Sequence, residues 1–371
     1  MKRTDLAEDR GRVFSRWRIL KPADVPALDD RVIDVAVLDM NKGWPNLGHD
    51  LIVRAVGEVA QDLGPLLEAG GLLIRVLSYD VRASLMIPEA PGRRHQVYLG
   101  TGGPGHIDPH LNDGVTPGTQ GICEDASWEA PLFRLFDGIR AQEQAALLAV
   151  CHTYGVLCRW AGAARPALRG QEKGGKRAGV SRNVLTEDGC RHPWFSRFAA
   201  QLSDGRHFSV LDNRLYDLIR ENGATLPAGV TAIAYESAGP DREVSDAITM
   251  LEFAPDSAGI MPRMFAVNHH PEVRDRKGQI RILRQKLSRG EVSMDWYDER
   301  VRTLREGFSS PDVEGSLQLT SQYTFLAPLR FHLYRQVRLR AASLGRKVDL
   351  HEDQALRPPV GMQDKKSNIP L

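Results

Sequence analysis

Short apolar runs alternate along this chain with stretches whose apolar residues recur at helical spacing. Residues 32–38 (VIDVAVL) are β-branched and almost wholly apolar, which predicts a strand buried on both faces of a parallel sheet. A polar loop, 39–43, follows. Over 49–67, Leu51, Ile52, Ala55, Val56, Val59 and Leu63 fall on one helical face, Gly70 and Gly71 stop the helix, and 72–77 predicts the next strand. The rhythm continues with a strand at 96–99, the glycine-rich turn Gly100-Thr101-Gly102-Gly103-Pro104-Gly105, a helix at 131–143, a strand at 145–150 and a helix from 154 to 160.

That alternation predicts an α/β fold, a mostly parallel central sheet with helices on both faces. From residue 207 the rhythm changes. Strand-like runs at 207–211, 230–236, 248–253 and 264–268 have no long helices between them, which predicts an antiparallel addition to the sheet. Helical patterns at 279–308 and 322–342 predict a C-terminal helical extension. In the second, Phe331, Leu333, Tyr334 and Val337 would pack on the core while Arg330, Arg335, Arg338 and Arg340 stay solvated. The expected organisation is an N-terminal arm (1–30), a catalytic domain (31–285), a helical extension (286–349) and a loosely held tail (350–371). The Gly- and Lys/Arg-rich segment 165–183 reads as an exposed loop.

Composition narrows the class. The 371 residues are 42% hydrophobic, enough for a sizeable core. Forty-nine basic against 47 acidic residues leave a formal charge of +2, so nothing draws the chain as a whole to nucleic acid or membrane. The first 18 residues are charged throughout, and no apolar run is long enough for a membrane span. The expected location is the cytoplasm. Cys123, Cys151, Cys158 and Cys190 show no C-x-x-C spacing and read as reduced thiols.

One of these cysteines stands apart. Cys151 falls where a strand should hand over to a helix, the geometry that exposes a nucleophile above a sheet and aims the helix's positive end at its sulfur. A buried structural cysteine is the competing reading. Two further segments bear on the choice. The turn 100–105 offers close-approaching backbone N–H groups and lacks the Lys-Ser/Thr of a phosphate-binding loop. The segment FAVNHHPE (265–272) ends a strand in histidine, with a glutamate two residues beyond His270. A thiol needs a base, and the base needs an orienting acceptor. The competing reading is a surface His-His pair or two metal ligands.

Taken in order, GTGGPG (100–105), AVCHTYG (149–155) and HHPE (269–272) resemble the class I glutamine amidotransferase superfamily, over residues 32 to 285. The resemblance implies a flavodoxin-like fold with Cys151 as nucleophile, His270 as general base and Glu272 orienting it. It further implies an oxyanion hole from the N–H groups of Gly103 and His152, and substrate contacts from Gly102, Tyr154, Asn213 and Arg214. His269 is the competing base. The chain departs from the family inside the elbow, with Thr153 for a glycine and Gly155 for the glutamine that helps hold substrate.

The resemblance leaves three functions open. The first is a glutamine amidotransferase that hydrolyses the glutamine amide through a thioester. It would pass ammonia to a separate synthetase partner, since no ATP-binding loop is visible here. The second is acyl transfer from an acyl-CoA to an amino-acid hydroxyl, as in homoserine O-succinyl/acetyltransferases. The early LDMNK (38–42), the LDNR run (211–214) and the long C-terminal continuation resemble that branch. Arg214 would then grip a substrate carboxylate, or else simply pair with Asp212 or Asp217. The third is a non-catalytic interaction protein that kept the fold. None of the three calls for a metal or an organic cofactor.

Overall fold

The computed structural model describes residues 13–43, 46–170, 175–220, 225–238 and 245–347. Its centre is a ten-stranded sheet. In chain order the elements are β1 (Phe14–Ile19), β2 (Val32–Asp39), α1 (Leu47–Asp62), α2 (Gly64–Gly70), β3 (Leu73–Asp80), β4 (His95–Gly100), α3 (Glu129–Ala141), β5 (Ala146–Val150) and α4 (His152–Ala161). Then come β6 (Arg165–Leu168), β7 (Arg177–Leu185), α5 (Glu187–Arg191), α6 (Phe195–Ala199), β8 (His207–Arg214), β9 (Tyr216–Ile219), β10 (Thr231–Glu236), β11 (Ile248–Pro255) and β12 (Pro262–Val267). The chain closes with α7 (Arg276–Ser288), α8 (Met294–Gly307), α9 (Pro311–Ser321), a π-helical turn (Gln322–Leu326) and α10 (Ala327–Ser343).

The strand order is β1-β3-β2-β4-β5-β12-β11-β10-β7-β8. From β1 to β12 every neighbouring pair is parallel, and from β12 to β8 every pair is antiparallel. Side chains along β2 show why the parallel half needs apolar runs. Val35 and Val37 pack with α1, α2 and α10 on one face, while Ala36 and Leu38 pack with α3 and α4 on the other. A third apolar cluster joins α7, α8 and α9 to Leu211 on β8, so the C-terminal helices are seated against the antiparallel end. In α10, Leu333, Tyr334 and Val337 are buried and Phe331 is half-buried, while Arg330 pairs with Asp62 at 2.5 Å.

Two expectations need correction. The segment read as an arm contributes the edge strand β1, paired with β3 in register Phe14↔Ile74 to Ile19↔Tyr79. The segment read as an exposed loop contributes β6 and most of β7. β1, β6 and β7 all carry charged residues at exposed or half-exposed positions, so they lack the apolar continuity that marks the central strands. The tail expected from residue 350 onward lies outside the described residues. No helix among those described is long and apolar enough to cross a membrane.

Candidate active site

Three loops meet at the carboxyl ends of adjacent parallel strands, where α/β sheets build their sites. β5 lies between β4 and β12, with Gly100 opposite Ala149 and Val150 opposite Val267. The residues that follow these strand ends are Gly102–Gly103, Cys151 and Asn268–His270. Strand order alone therefore sets the glycine turn and the histidine on either side of the cysteine.

Cys151 occupies a sharp elbow, with φ 49° and ψ −103°, in the left-handed half of backbone space that costs a side-chain-bearing residue energy. Its N–H donates to the Val267 carbonyl at 2.8 Å, which ties the elbow to β12. α4 begins at the next residue, His152. The N–H of His152 has no acceptor within the helix, and neither it nor the N–H of Gly103 has a hydrogen-bond acceptor among the described residues. Both residues line the pocket above Cys151.

His270 is held by its own N–H, which donates to Leu211 O at 2.8 Å. Its Nδ1 meets Glu272 Oε1 at 2.8 Å, and Glu272 is buried. Burial opposes the imidazolium, but the Glu272 carboxylate and then the Cys151 sulfur outweigh it and hold the His270 pKa well above its ordinary value. Gly102 separates the pair. A Cβ there would stand 3.1 Å from His270 Cε1, 3.4 Å from Cys151 Cβ and 3.8 Å from its Sγ. Only a glycine lets backbone, thiol and imidazole converge this closely. His269 turns the other way, with Nε2 3.4 Å from Thr324 Oγ1, and burial pushes its pKa down to about 3.

The glycine turn is braced from behind by Arg82, which is fully buried. Its Nε and Nη2 grip Glu124, at 2.8 Å for the former, and its Nη1 donates to Met40 O at 2.9 Å and Pro104 O at 2.7 Å. A Cβ on Gly103 would collide with that same Met40 carbonyl oxygen. Gln120 Oε1 accepts from Gly105 N at 3.0 Å and holds the far end of the turn.

The pocket has a volume of about 140 Å³. Gly102, Gly103, Cys151, His152, Asn213, Arg214 and His270 all line it. Tyr154 does not, and its expected substrate contact is corrected. The side chain is wholly buried beneath the elbow and its hydroxyl donates to Ile248 O at 2.8 Å, because it lies on the face of α4 that packs on the sheet. Arg214 sits among carboxylates, with Nη2 2.7 Å from Glu236, Nε 3.4 Å from Asp217 and Nη2 4.0 Å from Asp212. It both pairs and lines the pocket.

Both departures from the family motif are packed tightly. A Cβ at Gly100 would collide with the Thr153 side chain, whose hydroxyl donates to Thr101 O at 2.7 Å. A Cβ at Gly155 would come within 2.8 Å of Ile107 Cγ2, so Ile107 fills the space beside the elbow helix. Sequence reasoning missed Ile107, Gln120, Lys176, Trp296 and Arg300 as pocket residues. Trp296 and Arg300 stand four apart on α8, one helical face, but nothing in the sequence says which element that face meets.

No protein-family model matches the chain, and no curated protein matches it. Solved structures do. A putative GMP synthase component from Thermoplasma acidophilum is 13% identical, with 65% of this chain and 84% of that one covered, at a TM-score of 0.36. A glutamine amidotransferase from Thermotoga maritima is 14% identical, with 82% and 98% covered, at 0.41. The glutaminase domain of Trypanosoma brucei CTPS, with bound acivicin, is 11% identical, with 65% and 86% covered, at 0.39. A glutamine amidotransferase and a glutaminase domain are thus named among these structures. At such scores and identities the likeness carries no argument about chemistry, which rests on the geometry above.

Proposed function

We propose that this chain is a cysteine-nucleophile enzyme that works through a thioester, with the side-chain amide of glutamine as its first substrate. The convergence of Cys151, His270 and Gly102 at three neighbouring strand ends carries this reading. His270 takes the Cys151 thiol proton, sulfur attacks the amide carbonyl carbon, a C–S bond forms, and the oxygen takes negative charge beside the free N–H groups of Gly103 and His152. His270 gives its proton to the departing nitrogen, which leaves as ammonia. Water then attacks the thioester while His270 takes its proton, the C–S bond breaks, and His270 returns the proton to the leaving sulfur, so that glutamate departs and the thiol is restored. Glu272 keeps the imidazole in the tautomer and orientation that both steps need. Ammonia would pass to a separate synthetase partner.

A second reading replaces glutamine with an acyl-CoA and water with an amino-acid hydroxyl. The observation that favours it is Ile107, whose side chain fills the space beside Gly155, where the superfamily has its glutamine-holding side chain. The protein incubated with 6-diazo-5-oxo-norleucine, and separately with succinyl- and acetyl-coenzyme A, separates the two by peptide mass. A diazo-analogue adduct on Cys151 alone supports the glutaminase, and an acyl adduct alone supports the acyltransferase. If no reagent marks Cys151, a non-catalytic interaction protein replaces both. Under either catalytic reading Glu272→Gln keeps the fold and lowers kcat by about 10³–10⁴-fold. An unchanged rate removes Glu272 from the mechanism.

A further inference from the structure

The side of the pocket facing Cys151 is built by the antiparallel end of the sheet and the C-terminal helices. Its charge is one-sided. Three lining residues are cationic, Lys176, Arg214 and Arg300, and no Asp or Glu lines the cavity among the described residues. Arg214 is answered from below by Glu236, Asp217 and Asp212. The other two cations are not answered within the pocket. Lys176, just before β7, has no hydrogen-bond or ion-pair partner among the described residues. Arg300 lies over the Trp296 ring at 5.3 Å, and its partner Glu299, at 3.3 Å, is mostly exposed and does not line the cavity.

We propose that Lys176 and Arg300 form a carboxylate-binding edge of the Cys151 pocket, so that its substrate is a small amino acid or dicarboxylic acid. This rests on the reading of Cys151 as nucleophile and adds to it the charge of the molecule that Cys151 meets. The volume, about 140 Å³, suits one such molecule with its reacting carbon at the sulfur and its carboxylate at the mouth. Arg300 is pre-oriented by the tryptophan ring, which lowers the entropy lost on binding. The two cations also disfavour each other. Lys176 is exposed, yet enough protein crowds its ammonium that dehydration first, and Arg300 second, pull its pKa below the usual lysine value against the opposing attraction of the Glu299 carboxylate and the Cys151 sulfur. A carboxylate between them relieves both effects. The C-terminal helices thereby become part of the binding site.

Alkylation of the full chain tests this without a known substrate. Iodoacetate and iodoacetamide differ mainly in charge, and peptide mass follows each at Cys151, with the exposed Cys123 as internal reference. The iodoacetate-to-iodoacetamide rate ratio at Cys151 should exceed that at Cys123 by about tenfold. In Lys176→Gln/Arg300→Gln it should fall most of the way to the Cys123 value, and Arg300→Lys should restore part of it. High salt should compress the difference. A ratio in the double variant equal to that of the unaltered chain overturns the inference alone. Failure of both reagents at Cys151 overturns it together with the nucleophile reading. An intact anion preference without any diazo-analogue adduct removes the glutaminase and leaves the carboxylate site standing.

Discussion

Two fully buried arginines flank the pocket, and they are treated very differently. Every guanidinium nitrogen of Arg82 has a partner, with bonds to two oxygens of Glu124 and two backbone carbonyls. Arg214 has three carboxylates within 4.0 Å, yet none of its guanidinium nitrogens makes an aligned hydrogen bond. A buried charge that is both paired and hydrogen-bonded acts as a brace, here for the glycine turn. A buried charge that is paired without hydrogen bonds, and that borders a cavity, keeps donors in reserve for a ligand. The parallel side of the pocket is thus rigidly built, and the antiparallel side is left incomplete.

The largest expected effect breaks the brace. Arg82→Met leaves the Glu124 carboxylate its hydrogen bonds from Asn112 and Trp128 but buries it without its counter-charge, and should cost about 3–5 kcal/mol in urea unfolding. A loss below about 1 kcal/mol would put Arg82 on the same footing as Arg214.

Acid should act on both sides alike. His95 and His332 are buried, and dehydration lowers each pKa to about 4. As pH falls from about 6.5 toward 4 the unfolded chain takes up protons that the folded chain refuses, so stability present above 6.5 is lost on the way down. Each histidine accounts for on the order of 3 kcal/mol at full protonation. His95 and Pro262, whose carbonyl His332 contacts, stand at the amino ends of β4 and β12, opposite the pocket. Urea unfolding should therefore show this loss as pH falls through this range, and a stability that stays flat from about 6.5 to 4 would return both histidines to ordinary values.

Gly103→Ala tests what the brace holds in place. The new Cβ meets Met40 O, the turn must move, and kcat should fall at least ~100-fold, the usual cost of misplacing an oxyanion donor. Full activity with an intact fold would free Gly103 of that role.

The smallest effect separates the two arginines most directly. Arg214→Lys keeps the charge and loses the fork. It should change stability by less than about 1 kcal/mol while kcat/KM falls about tenfold, chiefly through KM. A stability loss without a KM change would make Arg214 a second brace.

The central strands and the elbow were legible because they obey local rules. β2 is a β-branched, mostly apolar run interrupted by Asp34, and Cys151 falls between one apolar strand and the start of a helix. β1, FSRWRI, and β7, RAGVSRNVL, were not legible as strands, since their polar residues satisfy solvent on one face and imitate an arm and a loop. Tyr154 shows the opposite failure. Proximity to the nucleophile in sequence suggested substrate contact, but a helix turns about 100° per residue and carried it into the core.

What the sequence by itself determined is the chemistry on offer: a thiol at a strand-to-helix turn, a histidine with a carboxylate two residues on, and a glycine turn able to come close. These are short-range facts, readable from spacing and residue type. Only the tertiary structure decided what surrounds them. The order β4-β5-β12 sets residues 102, 151 and 270 side by side, and the docking of α8 against the β8 end adds Trp296 and Arg300 to the pocket. Both depend on which apolar faces pack together over long separations along the chain, and no local pattern encodes that choice.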